Sequence, residues 1–418
     1  METLTRNKRS GSAVGASAEP PAKKDLAQRI FDIMVRAPGN KPGYRPVHAK
    51  GLVCQGTFTP SREAAGLSKA AHFQVPGPVT VRFSDGAPDP SIPDNSPDAS
   101  PRGMAIRFHL PGGGITDIVA ISHHGFIVGT GEEFLALQEA IAATDPSKPH
   151  PWPIEAFLGT HPRALKFVQE IRVIPESFAT EAFFSNDSFV FVSKNGARQA
   201  GRYQIVPVAG RRDLSDAEAK TKPADFLVQD LKTRLATGPI QFRLLAQLPN
   251  AGDATNDPSL VWPDDRKAIE VGTISITSVV ADSAGTERNM VYDPTHLTDG
   301  IELCDDPLPA LRAKVYSLSA SYRQQGQQAP ASKAEASKRS NEPMKRLTRT
   351  ETGDLKEGTW EPASDTGSNL TDRPDLRAEI EVRAYHHWRA DGGRHGNALN
   401  HWLQAEREIM NYTRTNEA

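Results

Sequence analysis

The runs GMAIRFHL (Gly103–Leu110) and TDIVAIS (Thr116–Ser122) decide the fold class. Both carry β-branched and aromatic residues in alternating or continuous apolar order at strand length, not at the three-to-four-residue spacing of an amphipathic helix. Six further runs of this kind surround them: GLVCQGTFT from Gly51, PVTVRFS from Pro78, DSFVFVS from Asp187, RYQIVPV from Arg202, IQFRLLAQL from Ile240 and EVGTISITSVV from Glu270. Eight such segments can close a barrel.

Helical patterns flank them. DLAQRIFDIMVRA spaces Leu26, Ile30, Ile33 and Met34 as one apolar stripe, which predicts an amphipathic helix from about residue 27. Further helices are expected over 131–145 and 225–236, and a last one over 307–325 with Pro307 and Pro309 in its first turn. In that last helix Arg312 and Tyr316 stand four apart on one face. The mixture reads as α+β, an antiparallel barrel of about eight strands with flanking helices. The repeating strand–helix order of a doubly wound dinucleotide fold is absent, and no internal repeat is evident.

Composition divides the chain. Residues 1–26 are rich in Ser, Gly, Ala, Pro and Lys, and 326–368 in Gln, Ser, Lys, Glu and Pro; both read as segments unable to bury enough apolar surface to order themselves. Residues 27–325 form the expected main domain. Residues 369–415 recover a pattern around Leu376, Ile380, Trp388, Trp402 and Ile409, with a DGGRHGN turn, and read as a small helical hairpin. Its His386, His387, His395 and His401 lack a cysteine or acidic partner at ligand spacing, so solvated histidines are the better reading.

With 49 basic and 51 acidic residues among 418, the balance calls for neither nucleic acid nor an anionic membrane surface, and a small-molecule partner is expected. Only Cys54 and Cys304 occur, which argues against a disulfide framework and a zinc cage. The N-terminus lacks the apolar run of a secretion signal, and no stretch approaches 18 apolar residues; cytoplasmic residence is the default expectation.

Taken alone, His48 in R-P-V-H-A-K-G reads as readily as a structural histidine as a base. Its company changes that. In order along the chain stand R-P-V-H-A-K-G (Arg45–Gly51), T-V-R-F-S (Thr80–Ser84), P-R-G-M-A-I-R-F (Pro101–Phe108), V-W-P (Val261–Pro263), D-P-T-H-L-T-D-G-I-E (Asp293–Glu302) and R-A-K-V-Y (Arg312–Tyr316). Together they resemble the catalases, over roughly residues 27–325, and in particular the short catalase-related peroxidases, which end after the barrel.

The resemblance implies haem b, with Tyr316 as the axial ligand of its iron and Arg312 beside it. A phenolate donates strongly to oxidised iron, and a guanidinium one turn away stabilises it by opposite charge. It implies that His48 shuttles a proton between the two peroxide oxygens, that Ser84 orients His48, and that Arg45 and Arg82 bind haem propionates. Phe126 matches an aromatic position against the haem face, and reads equally well as a core residue. His123 and His124 match no catalytic position.

One departure bears on function. Where catalases carry D-L-V-x-N-N, this chain reads D-I-V-A-I-S, so Ile121 takes the place of the distal asparagine. Isoleucine cannot donate a hydrogen bond to a second hydrogen peroxide molecule. The expectation is therefore a peroxidase acting on organic peroxides or hydrogen peroxide, with an external electron donor, weak dioxygen release, and a part in the response to oxidative stress. A non-catalytic haem sensor and a hydroperoxide isomerase are the alternatives. The sequence leaves reductant, natural peroxide and oligomeric state open.

Overall fold

A computed structural model describes residues 24–328, apart from Pro38, Pro146 and Arg172, together with the isolated helical residues Arg383 and Ala405. The chain divides into two compact units, residues 1–142 with 157–329, and residues 143–156 with 330–418. In the second unit, Glu155 accepts the Trp152 backbone N–H at 2.8 Å and meets His150 Nδ1 at 2.7 Å. The expected linker and C-terminal hairpin lie outside the described residues, save that 326–328 continue the last helix. Residues 1–23 of the expected tail lie outside them as well.

Eight antiparallel strands close the barrel of the first unit: β1 (Gly51–Pro60), β2 (Gly77–Ser84), β3 (Gly103–His109), β4 (Ile115–Ile121), β5 (Phe183–Phe184), β6 (Arg198–Pro207), β7 (Ile240–Gln247) and β8 (Ala268–Val279). The ring runs β7-β8-β1-β2-β3-β4-β5-β6 and returns to β7. Seven of these are runs read from the sequence; β5 is not. The run DSFVFVS gives Phe189–Val192, which pairs with the first part of β6 and with Ile301–Leu303, outside the ring. Two residues are too few to show a period, whereas a four-residue apolar run does, so the sequence points to the wrong one of the two.

Alternation along each strand sorts the side chains. Val81, Phe83, Met104, Ile106, Ala120 and Phe183 are buried in the main core, where a fully buried large apolar side chain contributes about 1.5–3 kcal/mol. Arg82 and Ser84 alternate with Phe83 and therefore project from the opposite face of β2.

Two helices flank the barrel. The first, Leu26–Val35, starts at Asp25, whose carboxylate accepts the Gln28 N–H at 2.9 Å. The last, Leu308–Gln328, starts where Asp306 accepts the Leu308 N–H at 2.9 Å. They pack on each other through Phe31 and Tyr322, edge to face at 5.9 Å, and through a cluster of Ala27, Ile30, Met34, Leu135 and Val315. The expected helices at 131–145 and 225–236 form as Gly131–Ala143 and Phe226–Thr237. Among the described residues, no helix is long and apolar enough to cross a membrane.

The D-P-T-H motif is a strap. Buried Asp117 accepts Arg107 Nε at 2.8 Å and Nη2 at 2.7 Å, the Asp293 backbone N–H at 3.1 Å, and meets His296 Nδ1 at 2.9 Å. That clamp fixes the segment between the short helix Ser283–Asn289 and Ile301–Leu303 across β3 and β4.

Candidate active site

The site is laid out by one row of the sheet. Gly51 pairs with Ser84, Ser84 with Gly103, and Gly103 with Ile121. Directly paired residues share a face, so two glycines alternate with Ser84 and Ile121 along the row. A Cβ on Gly103 would stand 2.6 Å from Ser84 Oγ and 3.0 Å from His48 Cε1 and Nδ1. The glycine thus leaves the space that His48 fills.

His48 lies in the loop before β1 with φ 55°, the left-handed region that costs a non-glycine residue strain. Its N–H donates to Gly86 O at 3.1 Å, its carbonyl accepts Arg82 Nη2 at 2.7 Å, and its Nδ1 lies 3.1 Å from Ser84 Oγ. Burial, reinforced by the charges of Arg82, Arg45 and Arg312, pushes the imidazole down to about 3. The ring is therefore a neutral base at physiological pH.

Replacing Gly103 by alanine is expected to displace the imidazole and slow peroxide-dependent donor oxidation about tenfold to a hundredfold, the scale of an ångström's misplacement. Haem content per folded chain should hold. Steady-state rates beside the Soret absorbance check it, and an unchanged rate would show that His48 has room to spare.

Three arginines converge next to the distal pair. Glu287 Oε1 accepts Arg45 Nη1 and Arg82 Nε, each at 3.0 Å, and pairs with Arg82 Nη2 as well. Met290 O accepts Arg45 Nη2 at 2.9 Å and Arg323 Nη2 at 3.0 Å. Burial, with Arg82 and Arg323 as neighbours, pushes Arg45 well below its usual value, and burial beside Arg82 pushes Arg323 down to about 10. Three cations facing one carboxylate leave two charges to be met. Arg323 and Glu287 escape the sequence reading, although Arg323 follows Tyr316 by seven residues and so shares its helix face.

On the last helix, Arg312 Nε and Nη2 donate to Tyr316 Oη at 3.1 and 2.9 Å. Arg312 Nη1 donates to both oxygens of Asp187 at 2.9 and 2.7 Å. Burial works against the guanidinium's charge, yet Asp187 and Tyr316 outweigh it and hold Arg312 above its usual value. Asp187 is fully buried, and nothing in its local sequence marks it, since its partner lies 125 residues away.

Phe126 stacks on Phe134 with ring centroids 5.7 Å apart, and Val47, Phe134 and Leu311 pack against the cluster between the two flanking helices. Ile121 stands beside Gly103 in the row, and Ser122 Oγ accepts the Arg102 N–H at 3.0 Å. His123 binds Gly125 O and Glu170 through its two ring nitrogens, and His124 stacks on Phe184. Neither ring is offered to the distal pair.

The donor set suits haem: a phenol oxygen held by the Arg312 guanidinium for iron, and two unmet positive charges for two propionates. Comparison with known proteins agrees. Residues 32–356 match the catalase family. The chain belongs to that family. It is 37% identical over 299 residues to the catalase-related peroxidase of Mycolicibacterium paratuberculosis, covering 70% of this chain and 94% of the relative. It is 32% identical over 293 residues to the catalase-related peroxidase of Synechococcus elongatus, covering 69% and 86%.

The catalase fold extends to solved structures. A fungal catalase superposes with a TM-score of 0.62 at 16% identity, covering 96% of this chain and 92% of that one. A bacterial catalase gives 0.60 at 20%, covering 87% and 75%. Catalase isozyme 2 of Ricinus communis is matched over 60% of its own length. The family match runs past residue 325, into the segment read as a linker. Residues 375–411 match a separate family, described as a protein of unknown function (DUF2934).

Proposed function

We propose that this catalase-family enzyme binds haem b through Tyr316 and works chiefly as a peroxidase, reducing hydrogen peroxide and organic peroxides with electrons from an external donor. Enzyme class and haem dependence follow from the family and from relatives named catalase-related peroxidase. The observation that carries the finer reading is Ile121, set in the row beside Gly103 where a side-chain donor would otherwise face the His48–Ser84 pair.

When bound, haem supplies the redox centre that accepts oxidising equivalents from the peroxide and passes them to the donor. The chain's residues handle the proton. With Nδ1–H given to Ser84, His48 Nε2 is free to take a proton from one peroxide oxygen and return it to the departing one. Arg45, Arg82 and Arg323 would hold the propionates, and Arg312, anchored on Asp187, would meet the charge of Tyr316 as a phenolate ligand. The two free cysteines, with burial pushing Cys54 up to about 12 and Cys304 to about 11, suit residence in the cytoplasm.

The test is a ratio. Haem-loaded protein should oxidise a chromogenic donor with cumene hydroperoxide and with hydrogen peroxide, and release little dioxygen from the latter. Ile121→Asn should raise dioxygen release about tenfold or more, since one well-placed donor is worth about 10²–10³ in rate. Efficient dioxygen release by the unaltered enzyme would overturn the peroxidase reading.

A further inference from the structure

We propose that the buried cluster Lys50, Asp85, Asp94 and Arg102 is a positioning device for the distal pair, with Arg102 at its centre; this rests on reading His48 as the distal base. The cluster is interleaved with the site along the chain. Lys50 follows His48 by two residues, Asp85 follows Ser84, and Arg102 precedes Gly103. Each segment thus gives one residue to the site and one to the cluster.

Arg102 is 1% exposed, the bulkiest fully buried side chain among the described residues. Its Nη1 donates to Asp85 Oδ1 at 2.8 Å and to Ala99 O at 2.5 Å, and its Nη2 donates to Asp94 O. From there the contacts lead to the site. Ala99 O also accepts the Gly86 N–H at 2.7 Å, and Gly86 O accepts the His48 N–H at 3.1 Å. A Cβ on Gly86 would lie 2.6 Å from Pro101 O, so the two segments touch backbone to backbone.

Lys50 closes the cluster from the other side. Its ammonium pairs with Asp94, lies 3.2 Å from Asp85 and donates to Ile92 O at 2.9 Å. Its carbonyl accepts the Asp85 N–H at 3.0 Å. The other oxygen of Asp94 accepts the Leu227 N–H at 2.8 Å, tying the loop to the helix Phe226–Thr237.

Two considerations point to positioning. Lys50 and Arg102 face Asp85 and Asp94, with Asp225 also 3.5 Å from Lys50, so no positive charge is left over for a ligand, and the contacts of Arg102 with Asp85 and Ala99 lead back to the loops that carry His48 and Ser84. A buried ion cluster is often no more stable than a well-packed apolar replacement, so stability alone is a weak reason for it. His48, for its part, holds a strained left-handed conformation, which persists only where the surroundings over-determine it. The cluster supplies that constraint.

Arg102→Lys tests it, since one ammonium cannot match a planar fork reaching three acceptors. Asp85→Asn is the near-isosteric second variant, for use if the lysine variant fails to fold. Amide exchange over residues 44–51 of the haem-free protein should accelerate about tenfold, with exchange over 308–323 unchanged. In the haem-loaded protein kcat should fall about tenfold to a hundredfold, with KM within about twofold and the visible spectrum unaltered.

A folded variant that keeps wild-type exchange and kcat, losing only melting temperature, would overturn the proposal. His48→Ala separates the two readings. If that change leaves turnover intact, the distal-base reading fails. If it abolishes turnover while both cluster variants turn over normally, the positioning proposal alone fails.

Discussion

Replacing His48 by alanine is expected to lower kcat/KM for peroxide about a thousandfold, the middle of the range for general acid–base catalysis and about 4 kcal/mol of barrier. The size follows from how completely the structure prepares this ring. Its Nδ1 is engaged by Ser84, its backbone is fixed by Gly86 and Arg82, and Gly103 removes the atom that would collide with it. No other histidine ring described near it is free to substitute, His123 and His124 being spent on Glu170 and Phe184.

The same surroundings fix the pH dependence. A free imidazole is mostly protonated at about pH 5 and fails as a base there. Burial, with Arg82, Arg45 and Arg312 alongside, moves this one down to about 3, so it stays unprotonated throughout the range in which the enzyme is assayed. The rate should show no inflection from His48 between about pH 5 and 8. The check is kcat/KM for cumene hydroperoxide across that range, with haem content measured in each variant. A loss smaller than about tenfold in His48→Ala, at full haem occupancy, would remove this residue from the proton path.

The barrel was legible because its strands are long enough to show a period. β1, β2, β3 and β4 carry seven to ten residues each, and alternation or continuous apolarity marks all four. Where a strand shrinks to Phe183–Phe184, pairing is dictated by the neighbours β4 and β6 and leaves no local trace.

The site divides in the same way. His48, Ser84, Arg45, Arg82, Arg312 and Tyr316 sit in contiguous motifs and could be read from them. Asp187 and Glu287 act on Arg312 and Arg45 from 125 and 242 residues away, so only the folded chain connects them. Arg102 was visible inside P-R-G-M-A-I-R-F, yet its identity as a buried hub depends on the backbone oxygens of Ala99 and Asp94. Hydrogen bonds to carbonyls carry no sequence signature.

Tyr316→Phe is expected to have the other large effect, on haem retention. The phenol oxygen is the only atom this residue can offer iron, and it lies between two N–H groups of Arg312 at 2.9 and 3.1 Å. A phenylalanine of the same shape keeps the packing and removes that oxygen. Affinity should then fall at least a hundredfold, beyond the roughly 10–100-fold lost when only an outer partner of a ligand is changed. Asp187→Asn supplies that milder case. It leaves Tyr316 in place but removes the carboxylate that receives Arg312 Nη1, so haem affinity should fall about tenfold and the ferric/ferrous midpoint should move positive as the phenolate is held less firmly. Titrating haem into each haem-free variant, beside its melting temperature and visible spectrum, separates the two effects from simple unfolding. The phenylalanine variant must lose the ferric tyrosinate spectrum altogether, whereas the asparagine variant must keep it. Wild-type affinity and spectrum in Tyr316→Phe would mean that iron takes its axial ligand from elsewhere in the chain.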